Sequence, residues 1–568
     1  MREIKHHVDF CVVGGGMAGV CAALSCARQG VKVALMQDRP VLGGNASSEI
    51  RMWICGARGK NNRETGILEE LILENLYRNN PPNYHIWDSI LYEKVKENEN
   101  ITLLLNCSCL DAEMEGNLIK SVTGWQTTTQ TKHQIYAKYF ADCSGDSILA
   151  PLTNAEYRVG RESRDEFGES IQPEKADRKT MGHSILFQIR ETNSKSTFIP
   201  PEFACKFSED DLQYRSHQIG SNFWWIELGG EEDTIYDTES IKDELLKIAF
   251  GVWDHMKNHG DHGVENCVLD WIGFLPGKRE SLRYVGDYIM TQNDMEKEGR
   301  FEDIVAYGGW TMDDHPPGGF RHKGKPTTHH PTPSPYGIPY RVLYSKNIEN
   351  LFFAGRNISV THAALSSTRV MGTCSVLGQA VGIAASLCVK YNISPRGVYE
   401  SRIKELQKLL MFDDCYLPFM KREITPLTKE AVLDEKYENI RNGYDRPIED
   451  EDNGVYLNLG ESIVFSYEQY VKTKGLRIVF DSNLNRKTHN MPCYYPLENT
   501  DFYVPKTLVK GFVVTAETPQ GTRLLQKEEN NYQRLVVVEF DETVKSISFT
   551  PISTWGEEKA HIFSLDIM

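Results

Sequence analysis

The stretch from Val8 to Asp38 constrains this chain more than any other, because strand, glycine turn, helix and second strand follow one another in it without interruption. DFCVVGGG is a short apolar run ending in glycines, small residues recur at helical spacing from Met17 to Gln29, and VKVALM is a second apolar run. Between the runs lies Gly14-x-Gly16-x-x-Gly19. The first glycine of such a turn permits the reversal, the second lets a pyrophosphate approach the backbone, and the third lets helix and strand pack closely. The helix then presents unpaired N–H groups and a partial positive charge to the phosphates. The unit predicts a Rossmann-like dinucleotide-binding domain with Gly14, Gly16, Met17, Ala18 and Gly19 in the cradle. Where an acid for the ribose hydroxyls is expected stand Gln37 and Asp38; Gln37 can still accept a bond from a ribose hydroxyl.

Other segments converge on the same nucleotide. Gly43 and Gly44 form a second close turn, and Asn45, Ala46 and Ser47 follow it as a small polar run. Ile67, Leu68, Leu71, Ile72 and Leu76 recur at the spacing of an amphipathic helix. Residues 101–105 read as a buried strand, and 118–129 and 134–140 as strands of a small antiparallel layer. That layer delivers the chain to Ala141-Asp-Cys-Ser-Gly-Asp146, which brings Ser144 and Gly145 to the cofactor. Asn350-Leu-Phe-Phe-Ala-Gly-Arg356 is a strand ending in Gly355 and Arg356. A loop over 357–369 then leads to a helix rich in small residues, beginning near Gly372 and Thr373, that must press tightly against the sheet.

The predicted fold is α/β: a discontinuous nucleotide-binding domain over 1–150 and 336–395, an inserted α+β substrate domain over 151–335, a helical linker over 396–424, and an all-β sandwich over 425–568. A chain of 568 residues is too long for one core and fits several units. Its net charge of -16 opposes nucleic acid and anionic membrane as partners. No run is read as long enough to cross a membrane, and MREIKHHVDF has no secretory apolar region. Thirteen cysteines without CxxC or zinc spacing fit a reduced, cytoplasmic setting.

Four separated segments, VDFCVVGGGMAGVCAAL, LGGNASSEIR, FADCSGDSILA and the run from PYGIPYR through NLFFAGRNISVTHAALSSTRVMGTCSVLGQAVGIAASL, together resemble the bacterial FAD-dependent oxidoreductases of the glutathione-reductase-like superfamily. They are similar in particular to the group often found near glycan-degradation genes. Residues 160–170 and 275–294 fit the same group. The resemblance implies non-covalent FAD, its pyrophosphate at Gly14 to Gly19, with the Ala354-Gly355-Arg356 strand and the helix after it near the flavin ring.

A hydride transfer from an alcohol carbon needs a group to take the hydroxyl proton, and histidine suits that near neutrality. His362, with Arg369 in the same loop, is the first choice; His315, then His329 and His330, compete from a loop that could close over the pocket. Asp313, His315 and His329 match no strong metal motif, so no metal is expected. Arg279, Arg283, Arg321, Arg341 and Arg369 allow two readings, recognition of an anionic sugar or pairing with local acids such as Glu280. Phe223, Trp224, Trp225, Trp253, Trp271 and Trp310 read as core or as a sugar platform. The predicted function is an FAD-dependent oxidoreductase acting on a carbohydrate-type hydroxyl carbon of a small-molecule substrate, by hydride transfer to flavin N5. A redox-neutral flavin enzyme and a glycan-binding protein with structural FAD are the alternatives, and a homodimer is compatible with the sequence.

Overall fold

The computed structural model describes residues 2–487 and 502–568. It divides into two compact units, the first holding Met1–Ala57 and Pro82–Leu406, the second Arg58–Pro81 and most of the chain beyond Gln407.

The first unit is built on a five-stranded parallel sheet. Its order is Leu351–Phe353, Tyr139–Asp142, Phe10–Val13, Val33–Met36, Ile101–Leu104. Every residue of Phe10–Val13, Val33–Met36 and Tyr139–Asp142 is buried, so these strands read as continuous apolar runs, as strands covered on both faces do. The chain leaves Phe10–Val13 to one side for Val33–Met36 and returns on the other at Tyr139–Asp142, which creates a crevice beyond the carboxyl ends of these strands.

A four-stranded layer joins Arg2–His7, Thr131–Tyr136, Leu118–Gln126 and Cys107–Glu115 in that order. The strand expected over 134–140 is in fact two. Thr131–Tyr136 alternates in burial and stays in this layer, whereas Tyr139 and Phe140 open a fully buried strand of the central sheet.

Helix α1 (Met17–Arg28) is buried along nearly its whole length. The small-residue helix, Met371–Tyr391, packs closely on α1 and also meets the sheet, where Tyr139 donates to the Cys388 carbonyl at 3.1 Å. A Cβ at Gly378 would overlap the Ala18 carbonyl, and one at Gly382 would overlap Ser25 Oγ. Among the described residues this is the one helix long and apolar enough to cross a membrane, which corrects the reading that no run has that length. Its apolar window is 94% buried inside the unit, as befits a core helix apolar on every side.

Residues 151–335 form small sheets around a core that contains Phe223, Trp225 and Trp253, packed on the helix Thr238–Asn258. These aromatics are therefore core.

The second unit contains six antiparallel strands in one hydrogen-bonded sheet, in the order Val455–Asn458, Lys559–Ile567, Ile463–Phe480, Leu535–Thr554, Val509–Thr518, Gly521–Glu528. Bulges interrupt the register of the two longest strands, and a single apolar cluster runs along the whole set. The amphipathic helix Ile67–Arg78 belongs to this unit. Its Glu69 is buried and accepts hydrogen bonds from Arg486 at 2.6 and 2.7 Å and from Ser482 at 2.6 Å.

The same unit carries a buried ionic network. Asp445 accepts from Arg477 at 2.8 Å and Arg422 at 3.2 Å, and Arg534 donates to Asp414 at 2.9 Å. Burial alone would raise Asp445, but Arg477 and Arg422 outweigh it and hold the carboxyl below its ordinary value. Asp445→Ala leaves two guanidiniums short of their acceptor, and a loss of about 3–5 kcal/mol is expected. Calorimetric unfolding checks this; a midpoint equal to that of the parent protein would show that the network does not support the unit.

Candidate active site

The glycine turn is closed by contacts that tolerate no side chain. Gly14 has φ +105°, and a Cβ there would overlap the Cys143–Ser144 backbone; a Cβ at Gly19 would overlap the Gly14 carbonyl. The Gly15 N–H donates to Gln37 Oε1 at 2.7 Å, and Gln37 Nε2 donates to the Val41 carbonyl at 3.2 Å. The Gln37 amide thus ties the turn to the end of the second strand, while Asp38 is exposed and lies 3.7 Å from Arg39 Nε.

The second glycine turn lies against the first. Gly43, at φ +100°, donates to the Gly15 carbonyl at 2.8 Å, and a Cβ on Gly44 would lie 3.0 Å from Gly16 Cα. Asn45 Nδ2 donates to the Lys278 carbonyl at 3.1 Å, and the Ala46 carbonyl accepts from Trp87 Nε1 at 3.1 Å. Met17 and Ala18 are buried in the first turn of α1.

In the Ala141–Asp146 segment, Asp142 is a buried knot. It accepts from the Ser144 N–H at 2.9 Å, Ser144 Oγ at 2.6 Å, the Leu149 N–H at 2.8 Å and Tyr284 at 2.6 Å. Gly145, at φ +81°, leaves room for the Arg356 guanidinium, which a Cβ would approach to 2.5 Å. Arg356 and Lys278 each donate to Asp146 at 2.7 Å. Burial would raise that carboxyl, but the two cations outweigh it and hold it low. Gly355, at φ +123°, makes the bend between strand and loop. The Gly372 N–H donates to the Cys55 carbonyl at 2.7 Å, at the start of the Met371–Tyr391 helix.

These residues fit a dinucleotide. The cradle is one that Cβ atoms would fill, and the buried hydroxyls of Ser47 and Thr373 have no hydrogen-bond partner among the described residues, as groups that meet a ligand would.

A charged cluster lies in the same unit. His362 opens a short helix, His362–Thr368, capped by Thr361, whose Oγ1 accepts the Ala364 N–H at 3.2 Å; Arg369 ends it. The expected loop is therefore helical at this point, because threonine supplies the N-cap. His362 Nδ1 lies 2.9 and 3.0 Å from the two oxygens of Glu280, and Nε2 lies 3.6 Å from Asp314. Burial pulls the imidazole down, but Glu280 and Asp314 outweigh burial and raise its pKa to about 9. Glu162 accepts the His362 N–H at 2.8 Å, and Arg283 stands 3.2 Å from Glu162 and 3.7 Å from Glu280.

The parallel arrangement sits one residue away. His315 lies 2.6 Å from Glu227 and 3.2 Å from Asp313, Arg369 donates to Asp313 at 3.2 Å, and Arg279 is 3.4 Å from Glu227. Burial would raise both acids, but Arg279 and His315 outweigh it at Glu227 and lower that carboxyl, and His315 and Arg369 hold Asp313 well below the carboxylate range. Asp313 and Asp314 lie on one strand, Met312–Asp314, and successive side chains point to opposite faces, so one serves His315 and the other His362. His329 and His330 stand on the partner strand Thr328–His330, where His329 is 3.4 Å from Asp313. They form a two-stranded ribbon rather than an open loop.

Sequence reasoning found His362, His315 and Arg369 but gave no role to Glu162, Glu227 and Asp314. The signal available was a surplus of acids near the histidines, which chain order alone does not pair. The five arginines are paired with acids: Arg279 with Glu227, Arg283 with Glu162, Arg321 with Glu232 at 3.1 Å, Arg341 with Asp303 at 2.9 and 3.0 Å, and Arg369 with Asp313.

A parallel sheet with a glycine cradle at its carboxyl ends fits a dinucleotide-binding protein. The family model described as FAD dependent oxidoreductase matches residues 9–410, and the chain belongs to that family. Its cofactor is FAD. No curated protein matches the chain. Among solved structures, a geranylgeranyl bacteriochlorophyll reductase-like protein from Thermoplasma acidophilum is 11% identical, with 72% of this chain and 85% of that one covered at a TM-score of 0.33. The flavin-dependent brominase Bmp2 is 12% identical, with 72% and 87% covered at 0.32. A family 32 carbohydrate-binding module from Streptococcus pneumoniae EndoD is 10% identical, with 23% and 83% covered at 0.19. None of the three reaches a TM-score of one half, so the family match alone bears on function.

Proposed function

We propose that this FAD-dependent oxidoreductase oxidises a hydroxyl-bearing carbon of a neutral, carbohydrate-type substrate, with His362 taking the hydroxyl proton. FAD, when bound, supplies the hydride acceptor at flavin N5. The observation that carries the reading is His362 fixed between Glu280 and Asp314, with a buried ring whose basicity is set by two carboxylates. The carbohydrate class rests on the resemblance to oxidoreductases often found near glycan-degradation genes. Internal pairing of all five arginines favours a neutral sugar over an acidic one. The first experiment is anaerobic titration of the FAD-loaded protein with neutral and acidic sugars, followed by loss of the yellow absorbance. Bleaching by acidic sugars alone, or by none, would remove the proposal.

The raised pKa has a direct kinetic consequence. A base must be unprotonated to act, so at pH 7 most of the protein holds the proton, and kcat/KM is expected to rise about tenfold per pH unit until a break near 9. Asp314→Asn removes one of the charges that raise the imidazole, and the break should move to lower pH. A profile flat from pH 6 to 9, or a break that stays in place in Asp314→Asn, would exclude His362 as the base.

A further inference from the structure

Away from the cradle, three histidines converge on one carboxylate. His217 stands in the loop before the Thr238–Asn258 helix, His255 on that helix and His262 just beyond it, all three buried, and Glu209 faces solvent. The Nε2 atoms of the three rings lie 3.2, 3.3 and 3.3 Å from Glu209 oxygens, and one ligand atom from each residue falls within 4.8 Å of every other. Ligands about 2.0 Å from a tetrahedral zinc ion are separated by about 3.3 Å, which the three histidine–carboxylate distances match, and the four side chains need only draw slightly inward to enclose an ion.

The hydrogen bonds fix the tautomer of two of the three rings. His217 Nδ1 faces the Arg215 carbonyl and His255 Nδ1 faces the Phe207 carbonyl at 2.9 Å, and a carbonyl can only accept. Both rings therefore carry their proton on Nδ1. In a neutral ring this leaves a lone pair on Nε2, aimed at a carboxylate that is itself only an acceptor. At His262 the ring Nδ1 faces the Gln218 side-chain amide at 3.2 Å, and the buried Nε2 makes no hydrogen bond of good geometry among the described residues although it lies 3.3 Å from Glu209. Without a cation between them, His217 and His255 could hydrogen-bond to Glu209 only as two imidazoliums with ring centroids 5.3 Å apart. A divalent ion removes the conflict, and the Nδ1–H to carbonyl bonds are the outer contacts that orient metal-bound imidazoles. Gly260, at φ +144°, admits the His262 ring, since a Cβ there would lie 2.7 Å from Nε2.

We propose that His217, His255, His262 and Glu209 bind one divalent transition-metal ion, zinc by preference. Three imidazoles and one carboxylate suit a borderline-soft ion and leave a four-coordinate shell filled by protein. Such a site clamps the loop that carries Glu209 and His217 to the long helix; it is structural rather than part of the redox chemistry. The sequence spacing gave no warning, because the ligands come from three separate elements.

The test uses full-length FAD-loaded protein, stripped with chelator, dialysed against zinc chloride and assayed for metal by mass spectrometry. One zinc per chain is expected, with a higher thermal midpoint on binding. His262→Ala and Glu209→Gln should each weaken zinc binding, the histidine variant by about 100-fold or more, beyond what loss of an outer partner costs. His259→Ala, whose ring pairs instead with Asp254 at 3.4 Å, should bind as the parent does. If His262→Ala does not fold, as judged by flavin content and circular dichroism, Glu209→Gln at the solvent-facing ligand decides. Zinc retained at parental affinity by Glu209→Gln and by any folded His262→Ala, or no zinc bound by the parent, overturns the proposal.

Discussion

Gly14→Ala protein is expected to purify colourless and to stay so after incubation with excess FAD. Gly14 sits at φ +105°, which an L side chain rarely adopts, and its missing Cβ would overlap the Cys143–Ser144 backbone. Neither obstacle yields to a side-chain rotation. To make room, the turn must move away from the 141–146 loop, which opens the cradle that Gly14, Gly16, Gly19 and Gly44 close. Gly30→Ala is the control. It also has positive φ, at +80°, but nothing lies within 4 Å of the added atom, so a cost of roughly 1 kcal/mol and full flavin content are expected. Absorbance of the two purified variants gives the answer. A Gly14→Ala protein as yellow as the parent would mean that the turn does not hold the pyrophosphate.

His362→Ala should retain its FAD and lose most of its turnover. Removal of a general base typically costs about 10²- to 10⁴-fold. On the proposal that His362 is the base, the effect belongs in kcat. It should also abolish the alkaline rise of the parent's pH profile, which a merely structural role would leave intact. Stopped-flow reduction of the flavin under saturating substrate measures this. A fall confined to KM with the pH profile unchanged would assign the proton to another group, and His315 is the nearest alternative in kind. His315 is the weaker candidate because its Nε2 is held more closely, 3.2 Å from Asp313, than the His362 Nε2, which lies 3.6 Å from Asp314.

The charge distribution around these two histidines explains the choice of residues. Two acids in sequence, Asp313 and Asp314, point to opposite faces of a short strand, and each meets a different histidine. Arginines 279, 283 and 369 neutralise the outer acids, so the cluster can be buried without stranding a charge. The surplus acidity of the chain is thus partly consumed inside the protein and does not all face solvent.

Local sequence determined the cradle. Strand, glycines, helix and strand within residues 8–38 mark the turn, and Gly14 and Gly19 are required there by the Cys143–Ser144 backbone and by the Gly14 carbonyl. It also determined the parallel sheet, through continuous apolar runs, and the candidacy of His362 through its place after the Gly355–Arg356 strand end. Tertiary structure alone decided the remainder. It assigned helix Ile67–Arg78 to the second unit, where Glu69 meets Arg486 and Ser482, and it turned the Gln37 amide inward to the Gly15 N–H. It likewise brought Glu280 and Asp314 to His362, and Glu209 to three histidines, across separations in the chain that no periodicity records. The physical reason is the range of the forces involved. Backbone sterics and hydrophobic periodicity act between near neighbours and leave a pattern in the sequence, whereas a buried charge is satisfied by whichever partner the fold delivers.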